Sequence, residues 1–401
     1  MTSTDTTNAG RRAALHRDTT VQLPPKGTAV LAAKAANLSR MATPDLDTHL
    51  GTALPDAELP ENPPSWARPE GINQPLSCST AAPGVLSHTV TADTALFQPI
   101  GDPPMSTTTP EVFRTAESRF ADLPGYAFAP HYVDVDGLRM HYLDEGPRSG
   151  TPVVCFHGEP TWAYLYRKML PPLVDAGYRV IVPDYAGFGR SDKPTDRRWY
   201  SFDRHCELMT EVLGAIDLRD ATVVVQDWGG PIGLRWAVEN ADRVAALAIF
   251  NTGLFTGRVS KGFLAWRGFA EKNPDLPVGF VLQGATTTDL PAEVVAAYDA
   301  PFPNAESKAG AAQFPLLVPT SEDAVGAKEM QAITDALSRW SKPALVAFSD
   351  MDPVFPYPQA GQAFCDLIPT SGEQVKVEGA GHFLQEDRGE HLARELLALL
   401  S

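Results

Sequence analysis

Short apolar runs of strand length alternate with segments of helical periodicity from about Tyr132 onward. The runs are Val153–Phe156, Val180–Val182, Thr222–Val225, Leu247–Phe250, Ala344–Phe348 and the more polar Gln374–Val377. The helical segments between and after them are Tyr164–Val174, Arg204–Leu218, Pro231–Asn240 and His391–Leu400. Because strands that are apolar on both faces need helices on both sides, this alternation predicts an α/β fold with a mostly parallel sheet.

The strand pattern stops between Asn251 and about Ser338, where helix-like pieces are separated by prolines and glycines. Such a stretch after one strand of an α/β sheet indicates an insertion. We therefore predict a helical cap at residues 252–338, between a first main-domain part at 105–251 and a second at 339–401.

The N-terminal quarter lacks the residues that build a core. Only two aromatic residues, Trp66 and Phe97, lie before Met105, and residues 1–104 hold 13 of the 36 prolines. Little apolar burial is available there to offset the entropy of ordering. We predict that residues 1–104 are disordered or an artefact of the assigned start codon.

The charge balance limits the expected partners. The chain has 33 Lys and Arg residues against 49 Asp and Glu residues, which gives a formal net charge of −16 without a basic stripe. Nucleic acids and anionic membrane surfaces are therefore not expected as partners. No stretch approaches the roughly 20 apolar residues that a membrane span requires.

The four cysteines are far apart and form neither a CxxC pair nor a paired CxxC metal pattern; they are Cys78, Cys155, Cys206 and Cys365. A disulfide framework is not expected, and a cytoplasmic location fits this usage. We expect no metal and no cofactor.

A strand, a turn of small residues and a helix follow one another between Val223 and Gly233. This is the setting of a nucleophile elbow, and Asp227 stands where such elbows usually carry Ser. Gly229 and Gly230 allow a tight turn, and the helix N-terminus offers backbone N–H groups. A carboxylate in this place can attack carbon. The alternative is that Asp227 only caps the helix.

The loop His157–Trp162 follows the strand Val153–Phe156. In hydrolases with a nucleophile elbow, this loop supplies a second backbone N–H to the anion hole. The main chain of Glu159 is the candidate, and an ordinary strand-to-helix loop is the alternative. The later glycine loop Asp184–Asp192 is assigned a structural role.

The segment Glu378–Phe383 places His382 in a glycine loop before the final helix. A lone His is more often structural than catalytic, but the chain order of nucleophile, acid and His is the order of elbow hydrolases. The acid should follow the strand Ala344–Phe348, where Asp350 and Asp352 both stand. We favour Asp352, because it lies farther into the loop that must reach His382; the other carboxylate is then a turn residue or cap.

Three motifs occur together in one order: His157–Trp162, Gln226–Gly230 and Gly381–Phe383. With them, the chain resembles a haloalkane dehalogenase of the α/β-hydrolase superfamily from Arg114 to Leu400. The resemblance implies an α/β-hydrolase fold with a mostly parallel eight-stranded sheet flanked by helices and an inserted helical cap. It also implies a small halogenated hydrocarbon and water as substrates, and an alcohol and a halide ion as products.

The resemblance further assigns roles to residues. Asp227 would displace the halide from carbon and form an alkyl ester. His382, oriented by Asp352, would activate the water that hydrolyses this ester. Backbone N–H groups of Glu159 and Trp228 would hold the oxyanion.

The departing halide needs donors that do not themselves attack, and the indole N–H is such a donor. Trp228, next to the nucleophile, is one candidate. In this family the second donor is either an Asn of the loop after His-Gly or a Trp of the cap. Here the loop has Glu159, which cannot donate when ionised, so Trp266, the single Trp of the predicted cap, is the second candidate. The alternative is that Trp266 only packs the cap.

The position of the acid favours the same branch. In the branch with the loop Asn, the acid follows the strand before the cap, where this chain has Asn251. An amide cannot replace that carboxylate, so the acid after the next strand is preferred.

Other functions remain open at this point. An epoxide hydrolase shares the fold and the Asp nucleophile, but it usually needs two cap tyrosines, and the predicted cap has only Tyr298. A fluoroacetate-type dehalogenase is disfavoured because no arginine stands next to the nucleophile. A catalytically silent binding protein would not require Asp227, His382 and Asp352 together.

Overall fold

The computed structural model describes residues 110–401, and the predicted extension at 1–104 lies outside them. The strands β1–β10 are Val112–Phe113, His131–Val135, Leu138–Glu145, Pro152–Phe156, Arg179–Pro183, Lys193–Pro194, Ala221–Gln226, Val244–Phe250, Ala344–Ser349 and Val375–Val377. The helices α1–α10 are Leu170–Asp175, Phe202–Ile216, Gly229–Glu239, Lys261–Lys272, Val278–Ala285, Ala292–Asp299, Ala309–Leu317, Ala327–Leu337, Gln359–Leu367 and Leu384–Leu400. Among these helices, none is long and apolar enough to cross a membrane.

Eight of the described strands form one sheet in the order β10-β9-β8-β7-β4-β5-β3-β2. Strand β3 runs antiparallel to β2 and β5, and the other neighbouring pairs are parallel. All residues of β7 are buried, as expected for a central strand covered on both faces. The prediction of a mostly parallel eight-stranded sheet flanked by helices is confirmed.

The apolar pattern does not predict β2 and β3, because polar residues interrupt them. His141 of β3 is fully buried, and its Nδ1 lies 2.7 Å from Oδ2 of Asp184. Asp144 of β3 accepts two hydrogen bonds from the Arg179 guanidinium on β5. These polar side chains are therefore buried in pairs, as buried charged groups require.

The predicted helix Tyr164–Val174 is divided in two. A 3₁₀-helix at Ala163–Lys168 precedes α1, which has Pro171 and Pro172 in its first turn. Proline has no N–H to donate to the preceding turn, so a new helix begins there.

Helices α4–α8 lie between β8 and β9, in the region predicted as a cap. Helix α4 packs against α7, and the Arg267 guanidinium of α4 donates to the carbonyl of Pro315 in α7. Helix α8 instead packs against α3, and it buries Met330, Ile333 and Leu337. The last helix before β9 therefore belongs to the layer of helices on the main sheet.

Candidate active site

Asp227 lies at a sharp turn between β7 and α3, with a φ of 51° in the left-handed region. The turn needs glycines, because a Cβ on Gly229 would lie 2.2 Å from the carbonyl oxygen of Phe156. The carbonyl of Asp227 accepts a 2.6 Å hydrogen bond from the Thr252 hydroxyl. No side chain caps α3 at its N-cap, Trp228. A non-glycine residue held in this conformation is typical of a functional site, and the helix-cap alternative has no hydrogen bond to support it.

The two carboxylate oxygens of Asp227 have different surroundings. Oδ1 accepts a 2.8 Å hydrogen bond from the backbone N–H of Glu159. Oδ2 lies 3.6 Å from Nε2 of His382. The backbone N–H of Trp228 follows directly in the chain, but within residues 110–401 it makes no hydrogen bond to this carboxylate. The loop after β4 and the loop after β10 therefore meet at the elbow.

The structure separates the two candidate acids after β9. Asp352 is buried, and its Oδ2 lies 2.9 Å from Nδ1 of His382. Asp350 accepts a hydrogen bond from the backbone N–H of Gly379 and pairs with Lys376 at 3.3 Å. Asp350 therefore joins the end of β9 to β10 and the loop after it. Among the described residues, Asp352 is the one of the two that contacts the imidazole.

Two carboxylates set the charge of His382. Burial lowers the pKa of this imidazole, but the negative charges of Asp352 and Asp227 outweigh that effect and raise the pKa to about 10. His382 is therefore a cation at neutral pH as long as Asp227 is an anion.

The Glu159 side chain is 4% exposed, and no cation of residues 110–401 is bonded to it. Burial raises the pKa of its carboxyl well above the usual range, and the negative charge of Asp227 adds to the effect, whereas His382 opposes it. A loop Glu fails as a donor only when it is ionised, and that form is disfavoured here. The prediction that the cap must supply the second halide donor assumes an ionised Glu159, and burial disfavours that form.

Two amide side chains, to which the sequence patterns assign no role, hold the loop of His382. Asn251 has a fully buried amide, and its Nδ2 donates to the Ser349 hydroxyl at 2.7 Å and to the His382 carbonyl at 3.1 Å. Its Oδ1 accepts from the backbone N–H of Ser349. Gln226 Nε2 lies 3.3 Å from the carbonyl of His382. A polar residue at the end of an apolar strand is the only sequence signal for either role.

The two tryptophans of the predicted halide site are not in ring contact with each other in the described chain. The Trp228 ring is 4% exposed and packs edge-on against Phe314 of α7, with centroids 5.1 Å apart. Trp266 is partly buried on α4 and stacks on Phe269 of the same helix at 6.0 Å. Over the described residues, no acceptor is bonded to either indole N–H. Helix α7 contacts the Trp228 ring through Phe314 and packs against α4, the helix of Trp266.

Tyr298, the one tyrosine of the predicted cap, is bonded elsewhere. Its side chain is fully buried, and its hydroxyl donates to Glu386 Oε2 at 2.7 Å. Glu386 also pairs with the Arg167 guanidinium at 2.6 Å. This hydroxyl is therefore committed to a structural ion pair rather than free to protonate an epoxide.

Comparisons of this chain with known proteins all point to one family. The family described as alpha/beta hydrolase fold matches residues 151–389. A haloalkane dehalogenase of Psychrobacter cryohalolentis is 47% identical over 301 residues, which cover 72% of this chain and 98% of that protein. Haloalkane dehalogenase 1 of Mycobacterium tuberculosis is 48% identical over 296 residues, or 72% of this chain and 98% of that protein.

Solved structures give a similar result. The tetrameric haloalkane dehalogenase DpaA from Paraglaciecola agarilytica NO2 is similar to this chain with a TM-score of 0.69 and 37% sequence identity. The similarity covers 72% of this chain and 98% of that one.

Proposed function

Since the chain belongs to the haloalkane dehalogenases, which have the α/β-hydrolase fold, we propose that Asp227, His382 and Asp352 carry out its reaction in two covalent steps. The overall activity is the hydrolysis of a carbon–halogen bond in a haloalkane, which gives an alcohol and a halide ion. The roles of individual residues are our proposal.

In the first step, Asp227 Oδ2 attacks the carbon that carries the halogen. A carbon–oxygen bond forms, the carbon–halogen bond breaks, and the halide leaves with the electron pair. Oδ1 becomes the carbonyl oxygen of the alkyl ester. The 2.8 Å hydrogen bond from the Glu159 N–H supports this division of roles, because it leaves Oδ2 as the freer oxygen.

The ester changes the charge of the site. In the resting enzyme, Asp352 and Asp227 both raise the pKa of His382. Once Asp227 is a neutral ester, one of the two charges is gone, so the pKa falls and the proton leaves with the halide as the net acid product. His382 is then a neutral imidazole, which is the form that can act as a base.

In the second step, His382 Nε2 removes a proton from water, and the hydroxide oxygen attacks the ester carbonyl carbon. The negative charge develops on Oδ1 of Asp227, to which the Glu159 N–H is already bonded. The Trp228 N–H, which within residues 110–401 is not bonded to the carboxylate, would turn to this oxygen as the second donor. The intermediate collapses by breaking the carbonyl carbon–alkoxy bond. His382 returns the proton to the alkoxide, which leaves as the alcohol. The imidazole then takes the proton of the Asp227 carboxylic acid, which restores the resting ion pair.

The indole N–H groups of Trp228 and Trp266 are proposed to bind the halide. Trp228 is next to the nucleophile, and its unbonded N–H lies in a side chain that the cap residue Phe314 covers. Trp266 is on a helix that packs against the helix of Phe314. Such donors gain strength as charge develops on the leaving atom, and they cannot act as nucleophiles.

The observation that carries the proposal is the chain of contacts from Glu159 N–H to Asp227, from Asp227 to His382, and from His382 to Asp352. Asp227→Ala removes the attacking oxygens, so it should abolish halide release from a haloalkane while the far-ultraviolet circular dichroism stays that of the wild type. Halide release at the wild-type rate in this folded variant would exclude Asp227 as the nucleophile.

A further inference from the structure

The Glu159 side chain is the one carboxyl of the site that lacks a protein partner. Its Oε1 is completely buried and has no hydrogen bond among the described residues. The backbone of the same residue is bonded to the nucleophile, since its N–H donates to Asp227 Oδ1 at 2.8 Å. Buried polar atoms are nearly always hydrogen-bonded, so an orphan oxygen next to a reacting group points to a ligand or to water.

The charges around this carboxyl come from named groups. Asp227 is a neighbouring anion, and His382 is the neighbouring cation, which is already paired with Asp352. His157, in the same loop, is buried, and burial lowers its pKa, so it supplies no positive charge at neutral pH. A second carboxylate beside Asp227 would be buried and, among residues 110–401, would have no cation of its own, which is costly.

We propose that Glu159 is a carboxylic acid in the resting enzyme and that its O–H donates a hydrogen bond to the departing halide. The inference rests on the proposed function, because it concerns the same pocket. It adds a third donor to the two indoles, and the donor comes from the main domain rather than from the cap.

The chemistry requires a donor that keeps its proton. The halide leaves with the electron pair of the carbon–halogen bond, and a halide ion is far too weak a base to take the proton from a carboxylic acid. The hydrogen bond strengthens as negative charge develops on the halogen, which favours the transition state over the bound substrate. An ionised Glu159 would have the opposite effect, because the buried carboxylate and the halide anion would repel each other.

Two substitutions at one position separate a neutral donor from a carboxylate. Glu159→Gln keeps the length of the side chain and a neutral N–H donor, whereas Glu159→Met keeps a similar volume without any donor. Neither changes the backbone N–H that holds Asp227. The measurement is bromide and iodide affinity, from quenching of tryptophan fluorescence, as a function of pH. Asp350→Asn is the control for nonspecific quenching, because it deletes a carboxyl group at the same edge of the sheet.

Glu159→Met should bind halide about 10- to 100-fold more weakly than the wild type, the range for one charge-assisted hydrogen bond. Glu159→Gln should bind it within about threefold of the wild type, because the donor is kept. Wild-type affinity should also fall at alkaline pH more steeply than that of Glu159→Gln. The other side chains of the site are the same in both proteins, so the difference belongs to Glu159.

A Glu159→Met variant that binds halide as tightly as the wild type would overturn the inference. A Glu159→Gln variant that binds halide as weakly as Glu159→Met would also overturn it, since the carboxylate of Glu159 rather than a neutral donor would then be the functional form. Turnover of a haloalkane by the wild type is measured in parallel. If the wild type turns over a haloalkane and Glu159→Met binds halide normally, only the role of Glu159 is rejected. If the wild type does not turn over a haloalkane, the proposed function is rejected as well.

Discussion

Replacing Asp352 by Asn should affect ester hydrolysis much more than ester formation. Asp352 uses both of its carboxylate oxygens as acceptors: Oδ2 toward His382 Nδ1 at 2.9 Å and Oδ1 toward the Val354 N–H at 2.7 Å. An amide has one acceptor oxygen. If that oxygen keeps the Val354 bond, the amide NH₂ faces Nδ1, and the imidazole must carry its proton on Nε2. An imidazole in that tautomer cannot remove a proton from water.

The size of the fall in kcat for Asp352→Asn follows from the lost charge and the changed tautomer of His382 together. Two unit charges about 4 Å apart interact by about 4 kcal/mol at an effective dielectric constant of about 20. Losing the charge of Asp352 therefore lowers the pKa of His382 by about three units. In Ser-His-Asp hydrolases the same exchange of Asp for Asn lowers kcat about 10⁴-fold, mainly through the tautomer. We expect a fall of about 10³- to 10⁴-fold in kcat for Asp352→Asn.

The assay compares steady-state halide release with a rapid-quench measurement of the alkyl ester, and Asp350→Asn is the matched control. Asp350 pairs with Lys376 on the surface, and within residues 110–401 its side chain has no hydrogen bond or ion pair to the proposed triad. Its loss should therefore change kcat by less than about threefold, as for other exposed ion pairs. If Asp350→Asn is the slower variant, the acid is Asp350 and the assignment from distance is wrong.

Two other predictions concern the halide site and the charge of His382. Trp266→Phe keeps the packing but removes the N–H, so halide affinity and the rate of ester formation should each fall about 10- to 100-fold; if both are unchanged, Trp266 only packs the cap. The pKa of His382 is raised from 6.5 to about 10 on folding, so its contribution to stability is fully present below about pH 6.5 and is lost as the pH rises through 10. In chemical denaturation from pH 6 to 10, the unfolding free energy of the wild type should fall more steeply than that of His382→Gln. The difference should be about 1.4 kcal/mol for each unit by which folding raises the pKa of His382. Parallel curves would contradict a charged His382 in the resting enzyme.

The sequence patterns that predicted the fold correctly are those with a simple physical cause. The runs Val153–Phe156 and Thr222–Val225 together have one polar residue, Thr222. They lie in the buried central strands β4 and β7. Strand β3 was missed because His141 and Asp144 look solvent-exposed in a pattern of hydropathy. Their partners Asp184 and Arg179 lie about 40 residues away in the chain, and only the folded sheet brings them together.

The candidate site shows the same limit. Motif order predicted which carboxylate and which imidazole meet, because the ends of parallel strands lie on one edge of a sheet. It did not predict the protonation state of Glu159, which depends on enclosure and on the charge of Asp227. The role of Asn251 was also missed, since its partners Ser349, at the end of β9, and His382, in the loop after β10, come 98 and 131 residues later in the chain.

The central claim is that Asp227 forms a covalent ester with the substrate and that His382 is needed only to hydrolyse it. The most direct test is the intact mass of His382→Phe after incubation with a haloalkane that the wild type turns over. The variant should release about one halide per active site, gain the mass of one alkyl group, and carry that group on the peptide containing Asp227. Continued turnover, no mass gain, or an alkyl group on another residue would contradict the account.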